Sequence, residues 1–276
     1  MRRSLNGRSV LLTGASRGIG RRVAERLGKL GANLMLTARS GDELERVAGE
    51  IRAAGGTADV AAADLTDPEQ RERVVTATVE RFGGLDVLIN CAGVASFGEF
   101  ATSTPEVLRK LMEINFLVPA DLIRLCQPHL AASAVAGRQP AIVNVASICG
   151  RAGIPSFPEH CSSKHALVGL TEALRSEFAR YDVDVLLVLP GLVKTDDMNR
   201  HLLRNEGKIW LNYPWAETPE NVANGVVKSL TRNTRERATG WIGWWVWFGR
   251  RAFPRAVRWS MKRKVRKFAE RNAAAV

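Results

Sequence analysis

Short apolar runs, bounded by glycine, polar or charged residues, alternate with longer stretches of helical spacing along most of this chain. Apolar runs without polar alternation suit strands buried on both faces, and a parallel neighbour requires a crossover of a dozen or more residues. The alternation restricts the chain to repeated strand–helix units around a mostly parallel sheet. The spacing predicts strands over Ser9–Thr13, Asn33–Ala38, Thr57–Ala62, Asp86–Asn90, Ala141–Ala146 and Val183–Leu189. It predicts helices over Gly18–Leu30, Asp42–Ala54, Pro105–Leu130 and Pro219–Leu230, one opening near Pro68 and another near His160. No linker or internal repeat divides residues 1–240, so they read as one domain, with 241–276 as a separate tail.

The charge is concentrated in one place. Residues 1–227 contain 26 Lys+Arg and 26 Asp+Glu, whereas residues 228–276 contain 14 and 2, which accounts for the whole net charge of +12. Cys91, Cys126, Cys149 and Cys161 lack paired spacing and read as reduced thiols of a cytoplasmic protein. The N-terminal residues run directly into the first strand without a signal-peptide pattern, and no apolar stretch is long enough to span a bilayer.

Thr13-Gly14-Ala15-Ser16-Arg17-Gly18-Ile19-Gly20 falls where the first strand turns into the first helix. Glycines there permit a tight turn, and a helix N-terminus presents unpaired N–H groups to a pyrophosphate. Asp64-Leu65 follows the third strand, Asn90-Cys91-Ala92-Gly93 ends the fourth, and Pro190-Gly191-Leu192-Val193-Lys194-Thr195 follows the last. In order and spacing these segments resemble the TGxxxGxG, NNAG and PGxVxT motifs of short-chain dehydrogenases, over about residues 8–230. The resemblance implies a doubly wound Rossmann-type α/β fold and a nicotinamide cofactor. It places Gly14, Ser16, Gly18, Ile19 and Gly20 at the pyrophosphate, and Asp64 and Leu65 near the adenine. Asn90, Ala92 and Gly93, and Pro190, Gly191, Val193 and Thr195 on the nicotinamide side, complete the cofactor contacts. An acid at the end of the second strand would favour a free ribose 2′-hydroxyl, and this chain has Arg39 there, with Arg17 in the glycine-rich turn. Two fork-shaped cations suit a 2′-phosphate, so NADP(H) is expected over NAD(H).

The same resemblance assigns the catalytic groups. Asn115 falls at the position of an asparagine that orders a relay water, and Ser147 at that of a serine that polarises the substrate oxygen. Lys164 falls at that of a lysine that binds the nicotinamide ribose. Thirteen residues after Ser147 and four before Lys164, where the family has a tyrosine, stands His160; the chain's only tyrosines are Tyr181 and Tyr213. Imidazole titrates near 6.5 and phenol near 10, so a histidine is chemically able to exchange a proton. Lys164 and burial both push its pKa downward, which favours a base over an acid. Two readings stay open: an NADP(H)-dependent oxidoreductase acting on an apolar small molecule, and a non-catalytic NADP(H)-binding protein.

Five of the seven tryptophans lie within residues 241–259, and ten Lys or Arg follow from Arg250 onward. Tryptophan beside cations is the composition of a membrane interface, so a peripheral attachment to the anionic inner face of a membrane is expected. A pocket cap or a subunit contact in a homo-oligomer is the competing reading. Nucleic acid is not an expected partner, because no recognised binding module accompanies the patch.

Overall fold

The computed structural model describes residues 3–194, 202–205 and 216–241, and in the tail residues 245, 248–249, 252–257, 259–260 and 262–263. Thr195 and most of the segment Asp196–Trp215 lie outside the described residues, as does much of the tail.

The elements run β1 (Ser9–Thr13), α1 (Gly18–Gly28), β2 (Asn33–Thr37), α2 (Gly41–Ala53), β3 (Thr57–Val60), α3 (Pro68–Phe82), β4 (Val87–Asn90) and β5 (Ala95–Phe97). They continue with α4 (Pro105–Met112), α5 (Val118–Val135), β6 (Ala141–Val145), α6 (Pro158–Phe178), β7 (Asp184–Leu189), β8 (Leu202–Asn205), α7 (Pro219–Arg232) and β9 (Glu236–Ala238). Seven strands form one parallel sheet in the order β3-β2-β1-β4-β6-β7-β9. The order reverses direction between β1 and β4, and in such sheets ligands bind outside the carboxyl ends of the strands at that point. β1, β4 and β6 are buried at every residue, as strands covered on both faces must be. One core layer, containing Val10, Leu12, Val23, Leu27, Leu36, Val47 and Val226, packs α1, α2 and α7 on the sheet. The opposite layer, containing Leu11, Val74, Leu88, Leu122, Ile123 and Cys126, packs α3 and α5.

Local chemistry sets the helix ends. Asp67 caps α3 by accepting from the Glu69 and Gln70 N–H groups, Pro68 takes the first turn, and Gly83 closes it with φ 72°. α1 has no side-chain cap: Arg17 is at its N-cap and makes no capping hydrogen bond, which leaves the first-turn N–H groups available.

The predicted boundaries agree with the structure for most elements, and three differences stand out. The third strand ends at Val60 rather than Ala62. A small parallel pair, β5 with β8, and the edge strand β9 were not anticipated. The single helix expected over Pro105–Leu130 is interrupted by a π-helical turn at Glu113–Leu117, where the Val118 N–H bonds back to the Glu113 carbonyl. Pro119 has no N–H to give to the Asn115 carbonyl four residues earlier, so an uninterrupted α pattern is short of one bond there.

The amino edge is tied by one carboxylate. Asp86, 3% exposed, accepts from the Ser9 N–H at 2.9 Å, Ser133 Oγ at 2.6 Å and Arg138 Nη2 at 2.9 Å. It thereby joins the start of β1, the entry to β4 and the end of α5. Asp86→Ala strands two buried donors and should lower the unfolding free energy by about 3 kcal/mol, read from the urea midpoint at unchanged slope. Asp86→Asn, which keeps an acceptor, should lose less, and an unchanged midpoint for alanine would show that the tie adds nothing to stability.

Candidate active site

The switch point between β1 and β4 is closed by backbone approaching backbone. Thr13 Oγ1 accepts from the Cys91 and Ala92 N–H groups, both at 3.0 Å. A Cβ on Gly14, whose φ is +69°, would lie 2.8 Å from Ala92 Cα, and one on Gly20 would lie 2.1 Å from the Gly14 carbonyl oxygen. Only glycines permit this packing of turn, helix and neighbouring strand. It leaves a cradle at the uncapped N-terminus of α1, where Ser16 and Gly20 are buried and Arg17 is exposed. Ile19 is partly buried against the core layer beneath.

Arg39, just past β2, is exposed, and its charge helps to hold the Asp64 carboxyl below its ordinary pKa, after the larger effect of the Thr66 N–H bond. Arg17 and Arg39 have no ion pair among the described residues. Leu65 is buried beneath that corner. The cradle and the free helix terminus fit the pyrophosphate of a dinucleotide.

The Asn90 side chain also has a structural role. Its Nδ2 donates to Asn144 Oδ1 at 2.9 Å, and Asn144 Nδ2 donates to Thr171 Oγ1 at 2.9 Å, a buried polar chain from β4 through β6 to α6. Asn90 Oδ1 is buried without a hydrogen-bond partner. Its side chain therefore stitches the sheet to α6 beneath the site.

Three of the four expected catalytic groups converge on the segment Gly93–Val94. The π-helical turn presents Asn115, fully buried, so that Oδ1 accepts from the Val94 N–H at 2.9 Å and Nδ2 donates to the Val94 carbonyl at 2.9 Å. Nδ2 also donates to Ser163 Oγ at 3.0 Å. A Cβ on Gly93 would stand 3.1 Å from Asn115 Oδ1 and 3.3 Å from Lys164 Nζ, so a glycine is what lets these groups meet. Lys164 Nζ donates to the Val145 carbonyl at 3.2 Å, and burial lowers the ammonium pKa to about 8. His160 is half-buried one turn earlier on the same face of α6, with Nδ1 3.2 Å from the Val94 carbonyl oxygen.

That contact favours one imidazole tautomer. A carbonyl oxygen only accepts, so the hydrogen bond requires the proton on Nδ1 and leaves Nε2 with a lone pair. Burial, and then the Lys164 charge, push the His160 pKa down to about 3, against a smaller upward effect of the Val94 bond. The ring is consequently neutral near pH 7, a base at Nε2 rather than an acid.

Ser147 follows β6 and caps a short 3-10 turn, Ile148–Gly150, by accepting from the Cys149 N–H at 3.1 Å. Its own hydroxyl donates to the Pro190 carbonyl over a long 3.4 Å, and the Ile148 N–H reaches the same oxygen at 2.8 Å, so the Ser147 and Pro190–Gly191 segments are adjacent. Val193 is buried and bridges to Glu217. Three contributors escaped the sequence reading. Val94 acts through its backbone, which no side chain advertises. Ser163 is three residues after His160. Glu217 accepts from the Gly191 N–H at 2.8 Å and Thr239 Oγ1 at 2.8 Å, and burial raises its carboxyl pKa. The Val118-Pro119 dipeptide was the available signal for the break at Asn115.

Comparisons with known proteins identify the family. The short chain dehydrogenase family model matches residues 8–206. Ketoacyl reductase HetN of Nostoc sp. is 33% identical over 233 residues, spanning 84% of this chain and 78% of that protein. The granaticin polyketide synthase putative ketoacyl reductase 1 of Streptomyces violaceoruber is 34% identical over 83% of this chain and 82% of its own length. A short chain dehydrogenase from Burkholderia cenocepacia, solved in complex with NADP, superimposes with a TM-score of 0.79 at 26% identity, covering 94% of this chain and 98% of that one. From its parallel sheet, its glycine cradle and these matches, the chain belongs to the short-chain dehydrogenase family of oxidoreductases.

Proposed function

We propose that the chain is an NADP(H)-dependent oxidoreductase that interconverts an alcohol and a carbonyl on an apolar small molecule, with His160 as the proton-exchanging group. The observation that carries the reading is the joint placement of Asn115, His160 and Lys164 around Gly93–Val94, at the carboxyl edge where the sheet order reverses. Two relatives named as ketoacyl reductases and a neighbour solved with NADP support the reaction class and the cofactor.

The cofactor, when bound, supplies the two-electron hydride chemistry. The protein supplies placement and a proton path. Gly14, Ser16, Gly18, Ile19 and Gly20 would hold the pyrophosphate at the start of α1, and Arg17 and Arg39 the 2′-phosphate. Asp64 and Leu65 would flank the adenine; Asn90, Ala92, Gly93, Pro190, Gly191 and Val193 would complete the cofactor contacts toward the nicotinamide side. Lys164 Nζ, close to Gly93, would hold the ribose hydroxyls. Ser147 Oγ, whose bond to Pro190 is long, would turn to the substrate oxygen. His160 Nε2 would take the hydroxyl proton of an alcohol directly or through one water, while the Val94 carbonyl steadies Nδ1–H. Asn115 acts here by fixing Val94 through both backbone groups, which positions the acceptor of His160.

The direction follows from the protonation state. A neutral imidazole has a lone pair to receive the alcohol proton but no proton to give a carbonyl, so oxidation is favoured over reduction near pH 7 and reduction rises toward acid. The lowered pKa also weakens the base. The same depressed pKa supports the rival reading of a cofactor-binding protein without turnover, because it deprives a reductase of its acid.

Two measurements test the assignment. Arg39→Ala should shrink the preference for NADPH over NADH by about 1.5–3 kcal/mol, the strength of a charged hydrogen bond, in equilibrium titration. Equal affinities in the unmodified protein would contradict the cofactor assignment. His160→Ala should cut turnover of secondary alcohols by about 10²–10⁴-fold. His160→Tyr should raise carbonyl reduction at neutral pH, since a phenol retains its proton there. Turnover of the alanine variant equal to that of the unmodified protein would exclude His160 from proton transfer.

A further inference from the structure

The tail leaves the sheet at the edge that contains the site. β9 runs parallel to β7, with Leu189 opposite Ala238, so both strands end on the same side. The Thr239 N–H bonds the Leu189 carbonyl at 3.1 Å, and Thr239 Oγ1 shares Glu217 Oε1 with the Gly191 N–H. Gly240 turns the chain with φ +70°, and Trp241 begins a helical segment one hydrogen-bonded residue from the nicotinamide-side segment.

The aromatic side chains described beyond Gly240 stay open to solvent. Trp241, Trp245 and Phe248 each have helical backbone and are 67%, 55% and 38% exposed, with the Trp245 and Phe248 rings edge to face at 6.2 Å. Phe253 and Trp259 are each 63% exposed. The described cations beyond them, Arg255, Lys262 and Arg263, are exposed, and the Arg263 guanidinium lies 5.4 Å over the Trp259 ring. An aromatic patch of this kind on a soluble surface marks an interaction site. The partner is indicated by charge: residues 228–276 contain 14 basic and 2 acidic residues, whereas residues 1–227 balance at 26 and 26. Positive charge concentrated at one end of the sequence, where ten Lys or Arg and one acidic residue follow the tryptophan-rich run from Arg250 onward, complements an anionic interface that accepts rings at headgroup depth. Among the described residues no helix is long and apolar enough to cross a membrane, so the segment would lie along the surface.

We propose that the tail seats this protein on an anionic lipid bilayer, with the carboxyl edge of the sheet and its site turned toward the lipid. An apolar substrate partitioned into the membrane would then meet the site at its own edge. Binding to lipid is independent of turnover, so this proposal and the proposed reaction fail separately.

The test uses the full chain with phosphatidylcholine–phosphatidylserine vesicles and with pure phosphatidylcholine vesicles, read by co-sedimentation. Binding to the anionic vesicles is expected to weaken with salt, to exceed binding to neutral ones, and to vanish on truncation after Thr239. NADPH binding by the truncated protein is the control for its folding. Each cation near the surface contributes roughly fivefold, so the triple variant Arg255→Gln, Lys262→Gln, Arg263→Gln should bind about a hundredfold more weakly. Hydrogen exchange on vesicle addition should slow in the tail and in the carboxyl-edge segment 150–157, but not in the amino-edge turns at Gly31 and Gly55. Unchanged sedimentation after truncation would overturn the proposal, as would protection confined to the tail. So would an absence of vesicle binding in a full chain that forms an oligomer, or retains nucleic acid, through the same segment.

Discussion

One backbone carbonyl organises the chemistry of this fold. The Val94 oxygen accepts from Asn115 Nδ2 and from His160 Nδ1, and the Val94 N–H is held by Asn115 Oδ1. The segment leading into β5, a π-helical turn and the first turn of α6 are thereby fixed to the backbone of one residue. The imidazole inherits its tautomer from that acceptor and its neutrality from burial and from Lys164. Both properties follow from position. A histidine in the same place on a solvated surface would titrate near 6.5 and exchange tautomers.

The glycine cradle depends on a comparable constraint. Gly14 abuts Ala92 and Gly20 abuts Gly14 because the sheet order reverses there, and Gly93 makes room for Asn115 and Lys164. The glycine cradle and the Asn115–His160–Lys164 cluster thus share the segment after β4, where Asn90 is stitched to Asn144 below and Val94 is clamped to Asn115 above. Movement of that short segment would disturb both halves of the site at once.

The sequence discloses those parts whose physics is local or periodic. Apolar runs such as Val10–Leu12 and Ile142–Val143 can only be buried strands, and the spacing of Val23, Leu27, Leu44, Val47 and Ile51 names the helix faces that cover them. The glycine-rich turn is legible for the same reason, whereas the register of Ser147, His160 and Lys164 is read only through the resemblance to the family. The break in the helix at Asn115 was recoverable from Pro119 but is masked by an otherwise helical pattern. The β5–β8 pair and β9 are three or four residues long, too short to leave a period. The structural duty of Asn90 and the clamp at Val94 are tertiary facts, set by segments distant in sequence. Glu217 joins Gly191 to Thr239 in that way, and nothing around it in the sequence announces the role.

The proposed chemistry turns on a histidine that is neutral, holds its proton on Nδ1 and offers Nε2 as a base. Side-chain nitrogen NMR of the holoprotein labelled at histidine, assigned with His160→Ala, reads all three properties directly. The prediction is an unprotonated Nε2 and a protonated Nδ1, unchanged as pH falls through 6.5 and titrating only toward about 3. Because the folded pKa lies below the unfolded one, the unfolded chain binds the extra proton within that window. The part of the stability that depends on a neutral His160 should therefore be full above 6.5 and decline as pH falls toward 3. A His160 resonance that titrates near 6.5, or a proton on Nε2 at neutral pH, would contradict this assignment of the ring.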